Sequence, residues 1–218
     1  MEMRKQRFIS IPDYTLGEEL FNSISHGLGA LLGAAALALM MVRARGALKV
    51  TAAALFGASM ILLYTMSCVY HALSADLPAK KVLRVLDHCN VFLLVFGTYI
   101  PVALLGISGK PGWILFGVVG FFTVLGVVLT AVNLERFKVA AVLCHLFNGW
   151  SILFGLSGLV QNMGREGILF LVLGGLMYSV GAALYAIGKK KRYGHSVFHF
   201  FCLAGTFFHF WAVYRFLL

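Results

Sequence analysis

The sequence predicts an all-α, polytopic membrane protein, and three observations carry that prediction. Of its 218 residues, 61% are hydrophobic and only 12% charged, where a soluble domain carries about 25% charge. The apolar residues gather into seven runs of about 20 residues, the length at which a helix crosses the hydrocarbon. The segments between the runs are too short to hold a soluble domain. Residues 1–218 are therefore expected to form a single seven-helix membrane domain.

The runs fall at roughly 20–42, 50–71, 86–107, 111–132, 139–160, 167–188 and 195–217. The first is too long for a signal-peptide core and lacks a small-residue cleavage site near its end, so it reads as a retained helix. Residues 1–17, with Pro12, Gly17 and mixed charge, read as a short cytoplasmic tail or interfacial segment.

Lysine and arginine set the expected orientation. With the amino terminus inside, the cytoplasmic side collects Arg4, Lys5, Arg7, Lys80, Lys81, Arg84, Arg136, Lys138 and the run Lys189, Lys190, Lys191, Arg192. Arg43, Arg45, Lys49, Lys110, Arg165 and Arg215 fall outside. That asymmetry favours the amino terminus in and the carboxyl terminus out, and a multi-pass protein of the plasma (inner) membrane. The net charge of +10 then needs no nucleic acid, since it matches an inner-leaflet bias with contact to anionic headgroups. Cys68, Cys89, Cys144 and Cys202 lie inside apolar runs without CxxC spacing, which suits small buried hydrophobes better than a disulfide framework.

Against this background the polar residues are informative, because an ionisable side chain in a membrane helix is expensive and by default marks function. His195 and His199 are four residues apart and project from one helix face, as a metal pair must. The alternative is two packed histidines bonded to backbone or water. His71 closes the second run and, by the expected topology, lies at the same depth. Ser67, one turn before it, either bonds a helix carbonyl or orients a ligand or a metal-bound water. Asp87 is either a helix-start carboxylate that complements the macrodipole and pairs with Arg84, or a group that holds or deprotonates a water. Its neighbour His88 points about 100° away and is not counted as a ligand.

Glu18, Asn22 and His26 form a polar stripe in the first helix, flanked by Glu19 and Ser25. An N-terminal cap with solvated charges accounts for the glutamates. Asn22 and His26 lie deeper and need buried partners, which makes them candidates for a polar network beside the site. His145, with Asn148, reads as packing or as support for the site. His209 lies about 15 Å along its helix from His199 and reads as structural. Gly29 and Gly33 match GxxxG, a weak signal for close helix packing.

Four blocks together resemble the progestin and adipoQ receptor superfamily in its bacterial hemolysin III branch. They are Glu19-x-x-Asn22-x-x-Ser25-His26, Ser67-x-x-x-His71, Asp87 followed by Gly97-Thr98-Tyr99-Ile100-Pro101, and His195-x-x-x-His199 with His209 downstream. The resemblance spans nearly the whole chain. It implies seven helices, a cytoplasmic amino terminus and one zinc held by His71, His195 and His199. It also implies that Asp87 approaches the zinc-bound water and that Ser67 lies close by. Relatives in the receptor branch carry a long amino-terminal domain that these 218 residues do not contain.

Three protein ligands leave a fourth position on zinc for water, as in catalytic sites. The expectation is therefore a zinc-dependent hydrolase acting on a membrane lipid amide or ester, with Asp87 and Ser67 as the candidate catalytic residues. Two alternatives stand beside it: a non-enzymatic protein of membrane homeostasis or sensing with a structural zinc, and a cytolysin, as the family name suggests. No amphipathic or secreted segment favours the last.

Overall fold

Thr15 starts the first helix. Its hydroxyl accepts from the Glu18 amide and the Glu18 carboxylate returns a bond to the Thr15 amide, a reciprocal cap that satisfies two otherwise orphan donors. In this computed structural model, which describes residues 9–188 and 191–218, α1 then runs over Leu16–Arg43. α2 covers Ala47–Ala72 and α3 Pro78–Pro101. Pro101 has no N–H to return to the preceding turn, and the chain widens there into a π-helical segment, Val102–Ile107. α4 spans Gly109–Asn133 and α5 Lys138–Trp150, followed by a 3₁₀ turn at Ser151–Gly155. α6 spans Leu156–Gly188 and α7 Gly194–Phe216. The described residues are helical or irregular, with no strand.

Among the described residues, six helical stretches are long and apolar enough to cross a membrane. The expected runs at 139–160 and 167–188 fall within one of them, the 50-residue stretch Lys138–Ile187. Its helical hydrogen bonding is not cleanly broken, but Gly164 adopts φ 67° and ψ −178°, a conformation that only glycine takes readily. α3 also begins earlier than its apolar run. Lys80 and Arg84 belong to the helix and are buried, because their charges are paired with acidic groups from elsewhere in the chain. The inner-side cations Arg4, Lys5, Arg7, Lys189 and Lys190 lie outside the described residues.

Long-range contacts sort the residues to two ends. At one end Arg84 bonds Glu135 and the Ser10 carbonyl, Glu19 bonds His71 and Lys80, and the Tyr193 amide donates to Glu18. At the other end Lys49 reaches the Leu218 carbonyl, Arg43 lies over Tyr214 and Asn162 bonds the Gly106 carbonyl. The core between them is lined by Phe56, Met60, Tyr64, Leu94, Val119, Leu159 and Val213.

Close approach is set by glycine. Gly29 faces Tyr64 and Leu203, and Gly33 faces Met60 and Ile61, so the GxxxG pair lets α1 sit tightly against α2, with Gly29 also against α7. The four cysteines are free, and three are buried, as small apolar side chains would be. On α6 a Cβ at Gly174 would run into the ring of His209, whose Nε2 is held by the Leu171 carbonyl. Gly174→Ala is therefore expected to destabilise the α6–α7 contact by about 1–3 kcal/mol, the usual range for overpacking. Thermal melting in detergent measures it, and an unchanged midpoint would remove the structural role given to His209.

Candidate metal centre

The site forms where the end of α2 meets the start of α7, and α1 decides both positions. Glu18, used by the cap, also accepts from the Tyr193 amide at 2.7 Å. This bond pins the residue before α7 in a left-handed conformation, φ 61°. Gly17 lets the two segments approach, since a Cβ there would meet the Tyr193 hydroxyl at 2.9 Å. His195 is thereby delivered two residues later.

The three predicted ligands converge. His195 Nε2 lies 3.3 Å from His71 Nε2 and 3.0 Å from His199 Nε2. One ligand atom from each histidine falls within 4.8 Å of the others. An ion with metal–nitrogen bonds of 2.0–2.1 Å and tetrahedral angles needs imidazole nitrogens about 3.3 Å apart, so the donor set fits. His71 and His199 are 2% and 1% exposed, and His195 is half-buried. Three imidazoles side by side can hold a borderline divalent metal.

The outer contacts of the triad are specific. His71 Nδ1 lies 2.6 Å from Glu19 Oε2. Glu19 Oε1 accepts from Lys80 Nζ at 2.5 Å, and Lys80 also donates to the Leu73 carbonyl at 2.7 Å. Tyr14 stacks on His195 with ring centroids 5.2 Å apart. His26 stacks on His199 at 3.6 Å and meets Tyr64 edge-on at 4.9 Å. Ser67 Oγ, the Asn22 amide and both nitrogens of His26 are buried without a protein partner. Buried polar atoms left without a partner are unusual, because such groups otherwise pair.

Several expectations need correction. Glu18 and Glu19 are not solvated: Glu18 is buried and ties α1 to Tyr193, and Glu19 holds His71 and Lys80. Their pairing offsets the desolvation that burial imposes, and removing one partner of such a pair typically costs about 3–5 kcal/mol. Asp87 is not a helix-start carboxylate either. It lies well inside α3, on the buried face shared with Lys80 and Arg84, beyond the first turn where the macrodipole acts. Nor is Arg84 bonded to it, since its guanidinium is taken by Glu135 at 2.6 Å and the Ser10 carbonyl at 2.5 Å.

Asp87 makes no hydrogen bond to a triad histidine among the described contacts. Its nearest ionic contact is His88 Nδ1 at 3.7 Å, a ring already held by the Arg84 carbonyl at 2.8 Å. Tyr70 and Tyr185 are among its electrostatic neighbours, and both rings touch the triad, Tyr70 on His71 at 4.5 Å and Tyr185 on His195 at 5.3 Å. Asp87 is thus one side chain removed from the histidines. His145 stacks on Phe92 at 3.5 Å, and Asn148 donates to Thr123 and the Val119 carbonyl. Both serve helix packing.

Tyr14 and Lys80 carry roles that the sequence did not disclose. Tyr14 sits in the segment expected to be a tail. That segment is latched below the site, where Ser10 donates to Glu135 at 2.9 Å and accepts from Arg84. The Arg84 hydrogen bond holds the Glu135 carboxyl below its usual range, against a smaller opposing effect of burial. Burial pushes the Tyr14 hydroxyl well above the ordinary tyrosine range, so the ring over His195 is neutral. Lys80 looked like one more inner-side cation, and nothing in its local pattern separates it from Lys81.

A helical membrane protein with a metal-competent histidine triad at one end of the bundle is the class that this fold and site define. A family model described as Haemolysin-III related matches residues 14–210, and the chain belongs to that family. It is 33% identical to Hemolysin-3 of Bacillus cereus over 204 residues, 92% of each chain. The Hemolysin-3 homolog of Bacillus subtilis is 32% identical over 196 residues, covering 88% of this chain and 91% of the relative. The adiponectin receptor protein of Drosophila melanogaster is 28% identical over 173 residues, 67% of this chain and 38% of that protein. The chain thus lies in the hemolysin III branch of the progestin and adipoQ receptor superfamily.

Proposed function

We propose that the triad holds one zinc and that the protein is a zinc-dependent hydrolase of a membrane lipid amide or ester. The observation that carries the reading is the convergence of three imidazole Nε2 atoms, 3.3 Å and 3.0 Å apart along the chain of contacts, at a spacing that suits tetrahedral zinc. Bound there, zinc would polarise a carbonyl and acidify a water. His71, His195 and His199 hold the ion. Glu19 orients His71, and Tyr14 with Tyr185 screens His195 from bulk water. Asp87 takes the proton of the attacking water, and Ser67, whose hydroxyl is buried without a partner, donates a hydrogen bond beside it. The test is purified protein in lipid nanodiscs with a panel of lipid amides and esters. Chelator-sensitive release of free fatty acid is expected, and no release across a broad panel would leave a metal clamp without chemistry.

A structural zinc in a non-enzymatic homeostasis or sensing protein is the second reading. It is favoured by the way the triad ties α2 to α7, near opposite ends of the chain. The relatives' name, Hemolysin-3, supplies cytolysis as a rival.

We infer further that residues 1–218 form one plasma-membrane domain of seven crossings, with the amino terminus inside and the carboxyl terminus outside. A 50-residue helix would be about 75 Å long at 1.5 Å per residue, more than twice the hydrocarbon thickness. Gly164 supports a reversal there. Tyr99 approaches Gly149 and Ile152, whereas Tyr178 bonds Thr206 and His209 bonds Leu171, so the two halves keep different neighbours. The sequence assigns more lysine and arginine to the end that carries Lys80, Arg84 and Arg136, as an inner face would have. Reporter fusions after residue 192 and at residue 218 should report opposite sides. The same side for both would remove the odd number of crossings.

A further inference from the structure

Glu19 is placed between two donors of different strength, and that arrangement goes beyond capping, which Glu18 already supplies. Its Oε2 faces His71 Nδ1 at 2.6 Å and its Oε1 faces Lys80 Nζ at 2.5 Å. Lys80 is 1% exposed and is held in turn by the Leu73 carbonyl, one turn beyond Val69 at the end of α2. An ammonium can only donate, and an ionised carboxylate can only accept. With Oε1 taken by Lys80, the atom presented to His71 is an acceptor, and the ring proton must sit on Nδ1. Nε2 is then left with its lone pair, on the side that faces His195.

We propose that Glu19 is the positioning residue that fixes the His71 tautomer and so readies the triad for a metal, while Lys80, which claims the other Glu19 oxygen, decides which way an amide at that position would turn. This deepens the metal reading and rests on it. The pair predicts a reversal that a plain ion pair does not. In Glu19→Gln the ammonium keeps the amide oxygen, so the amide NH₂ turns toward His71. Two donors then oppose each other unless the ring moves its proton to Nε2, which closes the lone pair to a metal. In the double variant Glu19→Gln/Lys80→Met nothing claims the amide oxygen. It can turn to accept from Nδ1, and the metal-binding tautomer returns. Lys80→Met alone leaves the carboxylate facing His71 and should bind metal nearly as wild type does.

The experiment measures zinc and cobalt affinity by chelator competition on the four purified proteins in detergent, with the visible absorption of bound cobalt as a second readout. Glu19→Gln is expected to weaken binding by about 10–100-fold, the usual weight of a ligand's outer partner. Lys80→Met should stay within a few-fold of wild type, and the double variant should recover most of the loss, a coupling that a double-mutant cycle isolates. Affinity in Glu19→Gln equal to wild type overturns the proposal, as does a double variant no better than Glu19→Gln. Nitrogen-15 NMR of the histidine rings in metal-free wild type tests it without any variant. His71 protonated on Nδ1 is expected, and protonation on Nε2 overturns it. Failure of wild type to bind either metal overturns the metal reading and this proposal with it, whereas a metal-loaded wild type with an indifferent Glu19 overturns this proposal alone.

Discussion

Purified His71→Ala, His195→Ala and His199→Ala proteins are each expected to lose most of their zinc, whereas His88→Ala and His209→Ala keep it. Each of the first three removes one donor from a set of three whose atoms lie within 4.8 Å of one another. The loss should exceed the roughly 10–100-fold that follows removal of a mere outer partner. His88 is turned back onto the Arg84 carbonyl and His209 onto Leu171, so neither is available to the ion. Elemental analysis of the variants decides the matter. Full zinc retention in His199→Ala would sink the assignment.

Because the triad joins α2 to α7, an ion bound only by the folded chain must also stabilise it. At a free concentration of 1,000 times Kd, that linkage is worth about 4 kcal/mol. Stripping the metal should therefore lower the melting temperature in detergent, and an unchanged curve after verified removal would count against the site.

The reach of the sequence can be traced residue by residue. The histidine cluster was legible because histidine is out of place in an apolar helix and because four-residue spacing puts His195 and His199 on one face. His71 was legible through membrane depth. The helix spans were legible as apolar runs, but only where apolarity and helix coincide. α3 begins at Pro78, ahead of its run, because a helix whose charges are paired continues past the apolar stretch. The boundary between the fifth and sixth apolar runs was blurred for a different reason. The break is a single glycine, Gly164, in a chain with 24 glycines, and composition does not say which one leaves the helical region.

The supporting contacts were illegible in principle. Lys80 meets Glu19 across 61 residues and Tyr193 meets Glu18 across 175. No local rule distinguishes a buried lysine from a solvated one. A polar stripe on α1 was visible, yet its partners depend on which helix α1 packs against, and that is decided by Gly29 and Gly33 fitting Tyr64, Leu203 and Met60. Tyr14 belongs to the same class, a residue of irregular backbone placed by contacts distant in sequence, its ring on His195 and its segment held by the Arg84–Glu135 latch on Ser10.

Asp87→Asn is expected to keep its zinc while lipid amide or ester hydrolysis falls by about 10²–10⁴, the usual weight of a general base. The expectation follows from where Asp87 is and from what it does not touch. It is buried on the inner face of α3, beside Tyr70 and Tyr185, which contact His71 and His195. It bonds none of the ligand rings, and Arg84, its nearest guanidinium on that face, is committed to Glu135. The nearest ionic contact of Asp87 is the His88 ring at 3.7 Å. Asparagine matches its size and can still hydrogen-bond, but it cannot accept a proton and carry it as an acid. Metal content should therefore separate from rate. The comparison is free fatty acid released by wild type and Asp87→Asn in the same nanodiscs, with zinc measured on both. Equal release by the two proteins would remove Asp87 from the chemistry. Zinc lost together with activity would instead make Asp87 part of what holds the metal, and the tautomer pair on His71 would then not be the only outer support of the triad.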